Sequence, residues 1–225
     1  MKGTSLIDYP GKIAAVIYTK GCNFRCPFCH NSSLVLGTNS ETRSSADVLR
    51  DIERRKGFID GVVITGGEPA INEDLPGFIR EIRKRGLAVK LDTNGSRPEM
   101  LQKLIESRLV DFVSMDIKTT WPKYKLATGS DADIEILKKS IGLIKSSNID
   151  YEFRTTCVPT LVNAEDIDAI SRISGSRGLY TLQQFQPEDA FSEEYRRITP
   201  YSFAALHSLL EIACANAPGS RLIGI

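Results

Sequence analysis

Residues 13–31 read IAAVIYTKGCNFRCPFCHN. The apolar, largely β-branched run at 13–18 predicts a buried strand, and a loop with three cysteines follows where that strand ends. A helix is predicted from about Ser44 to Lys56, and the next apolar strand, at 61–65, runs into Gly66-Gly67-Glu68-Pro69. The chain therefore begins with a unit of strand, loop, helix and strand.

The same alternation continues along the chain. Further strands are predicted at 87–91, 112–115, 151–157 and 179–185, and further helices at 75–85, 99–107, 134–146, 164–173 and 200–216. Apolar strands that alternate with amphipathic helices predict a parallel sheet covered by helices, either as a curved barrel or as an open doubly wound sheet. The six predicted strands are fewer than the eight of a full barrel, so a barrel built from them would be incomplete and open on one side.

Net charge, apolar runs and cysteine spacing indicate which partners and which cellular compartment to expect. Lys and Arg number 29 against 28 for Asp and Glu, so no large net charge favours nucleic acid or an anionic membrane as a partner. Residues 1–4 lead into a turn without the apolar segment of a signal peptide, and no apolar run reaches about 18 residues. Three of the five cysteines lie within residues 22–29, which favours a metal in a reducing compartment over a disulfide framework. We expect a cytoplasmic protein.

The cysteine loop has the spacing C-x3-C-x2-C, formed by Cys22, Cys26 and Cys29. Such a loop can wrap three thiolates around one compact object, and thiolates select zinc or iron–sulfur clusters. Structural zinc needs a fourth ligand, and the candidates are adjacent to the loop or distant in sequence: His30, His207, Cys157 and Cys214. A cubane cluster with one iron that no side chain binds explains the triplet better. Cysteines on a strand or a helix, such as Cys157 and Cys214, usually behave as small buried hydrophobic residues.

The cysteine motif, with an aromatic residue before its last cysteine, resembles the signature of the radical S-adenosylmethionine superfamily. Residues 66–69 resemble the cofactor-binding glycine motif of that family. The resemblance implies an incomplete (β/α)6 barrel of parallel strands, open on one side. The whole chain, 1–225, would form one radical S-adenosylmethionine (radical SAM) domain. Within it we expect a lead-in at 1–12, the partial barrel at 13–186, and a C-terminal segment and helix at 187–225.

The resemblance also implies the chemistry. A [4Fe-4S] cluster held by Cys22, Cys26 and Cys29 would bind the amino and carboxylate groups of S-adenosylmethionine. A one-electron donor such as flavodoxin or ferredoxin would reduce the cluster. Reductive cleavage would give methionine and a 5′-deoxyadenosyl radical that abstracts hydrogen from an unactivated carbon. The protein would place the cofactor and exclude water, because the chemistry belongs to the cofactor.

Ligands of such folds bind at the carboxyl ends of the strands. The residues expected to contact S-adenosylmethionine are Phe28, Cys29, His30, Gly66, Gly67, Glu68, Asp92, Asp116, Ile117, Lys118, Arg154 and Gln186. The resemblance places Phe28 against the adenine and Glu68 on the methionine ammonium. It places 92–95 and 116–118 on the ribose and methionine, or on a cation beside them. Gln186 stands where activating enzymes often carry a histidine.

For several of these residues a structural role is the alternative. Gly66 and Gly67 could form only a turn, and Asp116 and Lys118 only a salt bridge. A buried Arg154 would need an anionic partner, which is either the cofactor carboxylate or an internal acid.

Residues 5–12 and 21–31 resemble activating proteins of anaerobic ribonucleoside-triphosphate reductase. This resemblance implies a glycyl radical enzyme as the partner and a glycine of that partner as the source of the hydrogen atom. One alternative is a small-molecule radical enzyme such as 7-carboxy-7-deazaguanine synthase. Another is a non-catalytic iron–sulfur or metal-binding electron carrier, which would leave 66–68 and 116–118 unexplained.

Overall fold

The computed structural model describes residues 2–37 and 42–224. They form two compact units. The first unit takes its described residues from Met1–Cys22, Ser33–Val113 and Ile136–Asp150, and the second from Asn23–Ser32, Ser114–Glu135 and Tyr151–Ile225. The single domain predicted for 1–225 and its subdivision stay predictions. Among residues 2–37 and 42–224, no helix has both the length and the apolar character that a membrane span requires.

Strands and helices alternate as the sequence predicts. The strands are β1 Lys2–Ser5, β2 Ala14–Thr19, β3 Gly61–Gly66, β4 Ala88–Thr93, β5 Phe112–Asp116, β6 Asp150–Cys157, β7 Leu179–Gln184 and β8 Arg221–Ile223. The helices are α1 Ser32–Leu36, α2 Ser45–Arg54, α3 Leu75–Arg83, α4 Pro98–Glu106, α5 Tyr124–Thr128, α6 Ile134–Ser146, α7 Ala164–Ser174, α8 Glu193–Arg196 and α9 Phe203–Asn216. Short 3₁₀ turns cover Pro69–Ile71 and Trp121–Lys123.

In the first unit, β2 pairs in parallel with β3, and β3 with β4. The strands are apolar on both faces, as in a parallel sheet that is covered on both sides, and Val62, Val63 and Ile64 are completely buried. Helix α2 begins where the Ser44 hydroxyl accepts a hydrogen bond from the Asp47 N–H at 3.1 Å. The crossover between β2 and β3 therefore runs through the cysteine loop and this helix.

In the second unit, β6 pairs in parallel with β7, and β7 with β8. Phe153 and Tyr180 are completely buried in adjacent strands. Helix α7 begins with a capping box, in which Asn163 and Asp166 each accept a hydrogen bond from the backbone N–H of the other. The parallel pattern continues to the last described strand.

Within each unit the strand order follows the chain, from β1 to β4 in the first unit and from β6 to β8 in the second. In the described chain β1 and β8 are edge strands. The predicted α/β class with parallel strands is confirmed. Two edge strands were not predicted: Lys2–Ser5 pairs antiparallel with β2 inside the predicted lead-in, and Arg221–Ile223 extends the sheet beyond β7.

Candidate functional site

The turn after β3 lies directly against the backbone that leads into the cysteine loop. The Gly67 N–H donates to the Thr19 carbonyl at 3.0 Å, and the Glu68 N–H donates to the Gly21 carbonyl at 2.8 Å. A Cβ on Gly67 would lie 1.9 Å from the Gly21 oxygen, and Gly66 has a φ of +118°. Both positions therefore require glycine for steric reasons.

The Glu68 carboxylate ties the turn after β3 to the turn after β4. It is completely buried, and its Oε1 accepts from the Ala70 N–H at 3.0 Å and from the Thr93 hydroxyl at 2.7 Å. Its Oε2 accepts from the Asn94 N–H at 2.6 Å. These bonds give Glu68 a positioning role that the sequence did not reveal. Its contact with a cofactor ammonium stays a prediction.

Asp92, at the end of β4, forms a buried ion pair with Lys90. Lys90 Nζ lies 2.7 Å from Asp92 Oδ1, and the Lys90 residue is 1% exposed. The two side chains share a face because they are two residues apart on one strand. Lys90 was missed as a partner because it lies within the apolar run predicted as a strand.

The three cysteines of the loop differ in burial. Cys22 is partly buried in the first unit, whereas Cys26 is buried and Cys29 partly buried in the second. The Cys29 N–H donates to the Cys26 carbonyl at 3.0 Å, which forms a tight turn. None of the cysteines of the described chain forms a disulfide.

The donor set of this loop fits an iron–sulfur cluster. Three thiols from one short loop are the ligand type that such clusters take. Within residues 2–37 and 42–224, no group of three or more His, Cys, Asp or Glu side chains is arranged to hold a single metal ion.

In the second unit, the Asp116 carboxylate holds two cations. Its Oδ1 lies 2.9 Å from Arg154 Nε, and its Oδ2 lies 2.8 Å from Lys118 Nζ. Burial opposes ionisation of Asp116, but the charges of Arg154 and Lys118 outweigh burial and hold its pKa well below its usual range. The internal ion pair considered for Arg154 is therefore present. The contacts of these three residues with the cofactor stay predictions.

The rest of the 116–118 segment is fixed by the sheet and by a tyrosine. Ile117 is completely buried, and its N–H donates to the Arg154 carbonyl at 2.9 Å. The Tyr124 hydroxyl accepts from the Lys118 N–H at 3.4 Å and donates to the Asp116 carbonyl at 3.5 Å. No sequence pattern pointed to Tyr124, because this residue lies beyond the strand in a short helix.

Three residues predicted to contact the adenine remain: Phe28, His30 and Gln186. Phe28 is buried, and Lys118 Nζ lies 5.9 Å from the centre of its ring, within range of a cation–π interaction. His30 and Gln186 are exposed. Their contacts with adenine stay predictions.

The family model of the radical SAM superfamily matches residues 16–174, a range that contains the cysteine loop, the glycine turn and the Asp116 segment. The chain belongs to the radical SAM superfamily. The match extends over more than half of the chain, so the resemblance of the motifs is confirmed as membership of the family.

Relatives of this radical SAM chain include several proteins with named activities. A Methanocaldococcus jannaschii protein named as a glycyl-radical enzyme activating enzyme is 38% identical over 214 residues, which cover 93% of this chain and 88% of the relative. The pyruvate formate-lyase-activating enzyme of Listeria monocytogenes is 35% identical over 57% of this chain and 56% of its own length. A Pyrococcus abyssi protein named as a GTP 3′,8-cyclase is 30% identical over 70% of this chain and 51% of its own length. The predicted resemblance to activating enzymes is confirmed.

Solved structures show the same fold. Streptococcus suis SuiB has a TM-score of 0.67 at 19% identity, with 94% of this chain and 49% of SuiB covered. A domain of the pyruvate-formate lyase-activating enzyme from Bacteroides vulgatus has a TM-score of 0.58 at 17% identity, with 73% of this chain and 99% of that chain covered. The chain thus spans about half the length of SuiB. The predicted fold class, an incomplete parallel barrel of the radical SAM type, is confirmed.

The Asp116 ion pairs predict a large loss of stability when the charge is removed. Asp116→Asn leaves Arg154 and Lys118 without their carboxylate, and we expect the free energy of unfolding to fall by about 2 kcal/mol at pH 7, between the values for exposed and for fully buried pairs, because all three side chains are partly buried. Because the pKa of Asp116 is lowered on folding, its contribution is present above the unfolded value of 3.8 and is lost as the pH falls below it. Urea unfolding at pH 7 and at acidic pH measures both effects.

A control for this prediction is the ion pair of Asp131 and Lys125, in which both side chains are exposed. Asp131→Asn should leave the urea midpoint unchanged, because exposed pairs contribute little. Equal midpoints for Asp116→Asn and the unsubstituted protein at pH 7 would contradict a stabilising role for the ion pairs of Asp116.

Proposed function

We propose that this radical SAM chain activates a glycyl radical enzyme. In this proposal Cys22, Cys26 and Cys29 hold a [4Fe-4S] cluster, and S-adenosylmethionine binds beside it. The observation that carries the proposal is the 38% identity over 93% of the chain to a protein named as an activating enzyme. When bound, the cluster would pass one electron from the external donor to S-adenosylmethionine, giving methionine and a 5′-deoxyadenosyl radical, and that radical would take a hydrogen atom from a glycine of the partner.

In this proposal the protein's own residues bind and orient the cofactor. Gly66 and Gly67 let the turn after β3 approach the cysteine loop closely. Glu68 fixes that turn against the turn after β4, and its buried carboxylate is the proposed partner of the methionine ammonium. Asp92, which pairs with Lys90, is a further proposed contact of the cofactor. These contacts support a binding site for the methionine moiety of S-adenosylmethionine in which the backbone and Glu68 are held in place by hydrogen bonds.

The second unit provides the other proposed contacts with S-adenosylmethionine, which include two cationic side chains and an aromatic ring. Asp116 aligns Lys118 and Arg154, whose positive charges suit the methionine carboxylate. Phe28 presents a buried ring to the adenine, and Ile117 and Cys29 are further proposed contacts of the cofactor. His30 and Gln186, which are exposed, complete the proposed adenine contacts.

We assign the partner more narrowly as anaerobic ribonucleoside-triphosphate reductase, with flavodoxin or ferredoxin as the electron donor, in the cytoplasm. Residues 5–12 and 21–31 carry the resemblance on which this assignment depends. Leu6 and Ile7 of that segment are 74% and 86% exposed, so they are available to a partner. A glycine Cα–H is a favourable donor, since the radical that it leaves is delocalised over two amides.

The test of the proposed function uses the reconstituted protein, reduced with dithionite under anaerobic conditions. We expect S-adenosylmethionine and the anaerobic reductase of the same genome to yield a glycyl doublet in electron paramagnetic resonance, together with 5′-deoxyadenosine. A Cys26→Ala variant should give neither signal. A cluster-replete protein that forms no 5′-deoxyadenosine would instead support the electron carrier.

A second candidate function is a radical reaction on a small molecule. The Pyrococcus abyssi relative named as a GTP 3′,8-cyclase, with 30% identity over 70% of this chain, is the observation in its favour. Formation of 5′-deoxyadenosine that GTP or a deazaguanine precursor stimulates, with no doublet from the reductase, would favour this candidate over activation of a protein.

A further inference from the structure

The side chain of Asn94 lies beside the sulfur of Cys22. Its amide nitrogen Nδ2 is 3.8 Å from Cys22 Sγ, within hydrogen-bond range for sulfur, and both residues belong to the first unit. Asn94 is 6% exposed, so little water competes for this contact. The Asn94 side chain is therefore a hydrogen-bond donor to the sulfur of a cysteine of the motif.

The orientation of the Asn94 amide is fixed by its neighbours. Its Oδ1 accepts from the Ser96 N–H at 2.9 Å, and its own backbone N–H donates to Glu68 at 2.6 Å. The following residue, Gly95, has its carbonyl held by the Ser140 hydroxyl at 2.6 Å. Since the oxygen of the amide is turned to Ser96, the nitrogen with its two hydrogens faces the sulfur.

We propose that Asn94 donates an N–H···S hydrogen bond to the Cys22 thiolate and thereby raises the reduction potential of the cluster. The inference rests on the proposed function, because it requires Cys22 to be a cluster ligand. A donor at a ligand sulfur stabilises the reduced cluster more than the oxidised one, since the reduced cluster carries more negative charge. Hydrogen bonds to sulfur are one of the factors that set the potentials of iron–sulfur proteins.

The test measures the midpoint potential of the cluster in protein without S-adenosylmethionine, by redox titration followed by electron paramagnetic resonance. Asn94→Ala removes the donor and adds no charge. We expect about a tenfold decrease in the equilibrium constant for reduction, which for a one-electron couple is a shift of about 59 mV to more negative potential. The readout is independent of catalytic turnover.

Two further variants separate the hydrogen bond from damage to the turn. Asn94→Ser keeps a hydroxyl that can accept from the Ser96 N–H as in an ST turn, but the shorter side chain withdraws the donor from the sulfur. We expect the same negative shift. Thr93→Val removes two hydrogen bonds of the same turn, one donated to Glu68 and one accepted from the Gly95 N–H, and leaves the Asn94 side chain unaltered, so the potential should match that of the unsubstituted protein.

The outcomes distinguish this inference from the proposed function. Iron analysis of the unsubstituted protein tests the cluster itself, and absence of iron would overturn both. With the cluster present, an unshifted potential in Asn94→Ala and Asn94→Ser would overturn only the role of Asn94. An equal shift in Thr93→Val would overturn it as well, because the effect would then come from the turn.

Discussion

Replacing any one of Cys22, Cys26 and Cys29 by alanine is expected to leave the protein without an iron–sulfur cluster. Each thiolate is one of only three protein ligands in the proposed site, so its loss exposes a second iron that no side chain can bind. Iron and sulfide analysis after anaerobic reconstitution measures the effect. We expect about four irons per chain in the unsubstituted protein and near-complete loss in each variant.

Cys157 and Cys214 provide the matched controls, since Cys157→Ala and Cys214→Ala should retain the iron. Cys157 is completely buried on β6, and burial raises the pKa of its thiol to about 12, which disfavours the thiolate that a metal requires. Cys214 lies on α9, with its sulfur 4.0 Å from the Ser220 carbonyl. Retention of iron in Cys29→Ala together with its loss in Cys214→Ala would reassign the ligands.

Strands and helices were predictable where the apolar pattern is long and where residues typical of turns or helix caps stand at both of its ends. The apolar run at 61–65 predicts a strand, and the structure has β3 at Gly61–Gly66. The amphipathic pattern at 164–173 predicts a helix, and the structure has α7 at Ala164–Ser174. The edge strands β1 and β8 escaped prediction because four and three residues are too few to show a period. Their pairing depends on neighbours that are distant in sequence.

The sequence predicts where the candidate site lies, but it does not predict the hydrogen bonds among its residues. Polar residues after consecutive parallel strands must lie at one edge, which identifies Glu68, Asp92 and Asp116 as candidates. The sequence does not say which donors a carboxylate accepts from. Glu68 is bound by Thr93 and Asn94 from the next turn, and such long-range hydrogen bonds leave no local pattern.

Substitution of Gly67 by alanine is expected to destabilise the protein by about 3 kcal/mol or more, because overpacking against a rigid backbone has few ways to relax. The new Cβ would lie 1.9 Å from the Gly21 oxygen and 2.6 Å from the Gly21 carbonyl carbon. Relief requires the turn to move away from the Gly21 backbone, which leads into Cys22. The free energy of unfolding in urea and the iron content after reconstitution should therefore both fall.

Gly77→Ala is the matched control for this steric argument. Gly77 lies in helix α3, and no atom lies within 4 Å of the position that its Cβ would take. Alanine there should raise the free energy of unfolding by about 0.5–1 kcal/mol, since glycine weakens a helix relative to alanine. The two variants make the same chemical change, so their difference isolates the contact with Gly21. A Gly67→Ala protein with unchanged stability and full iron content would show that the turn can move away from the cysteine loop without cost.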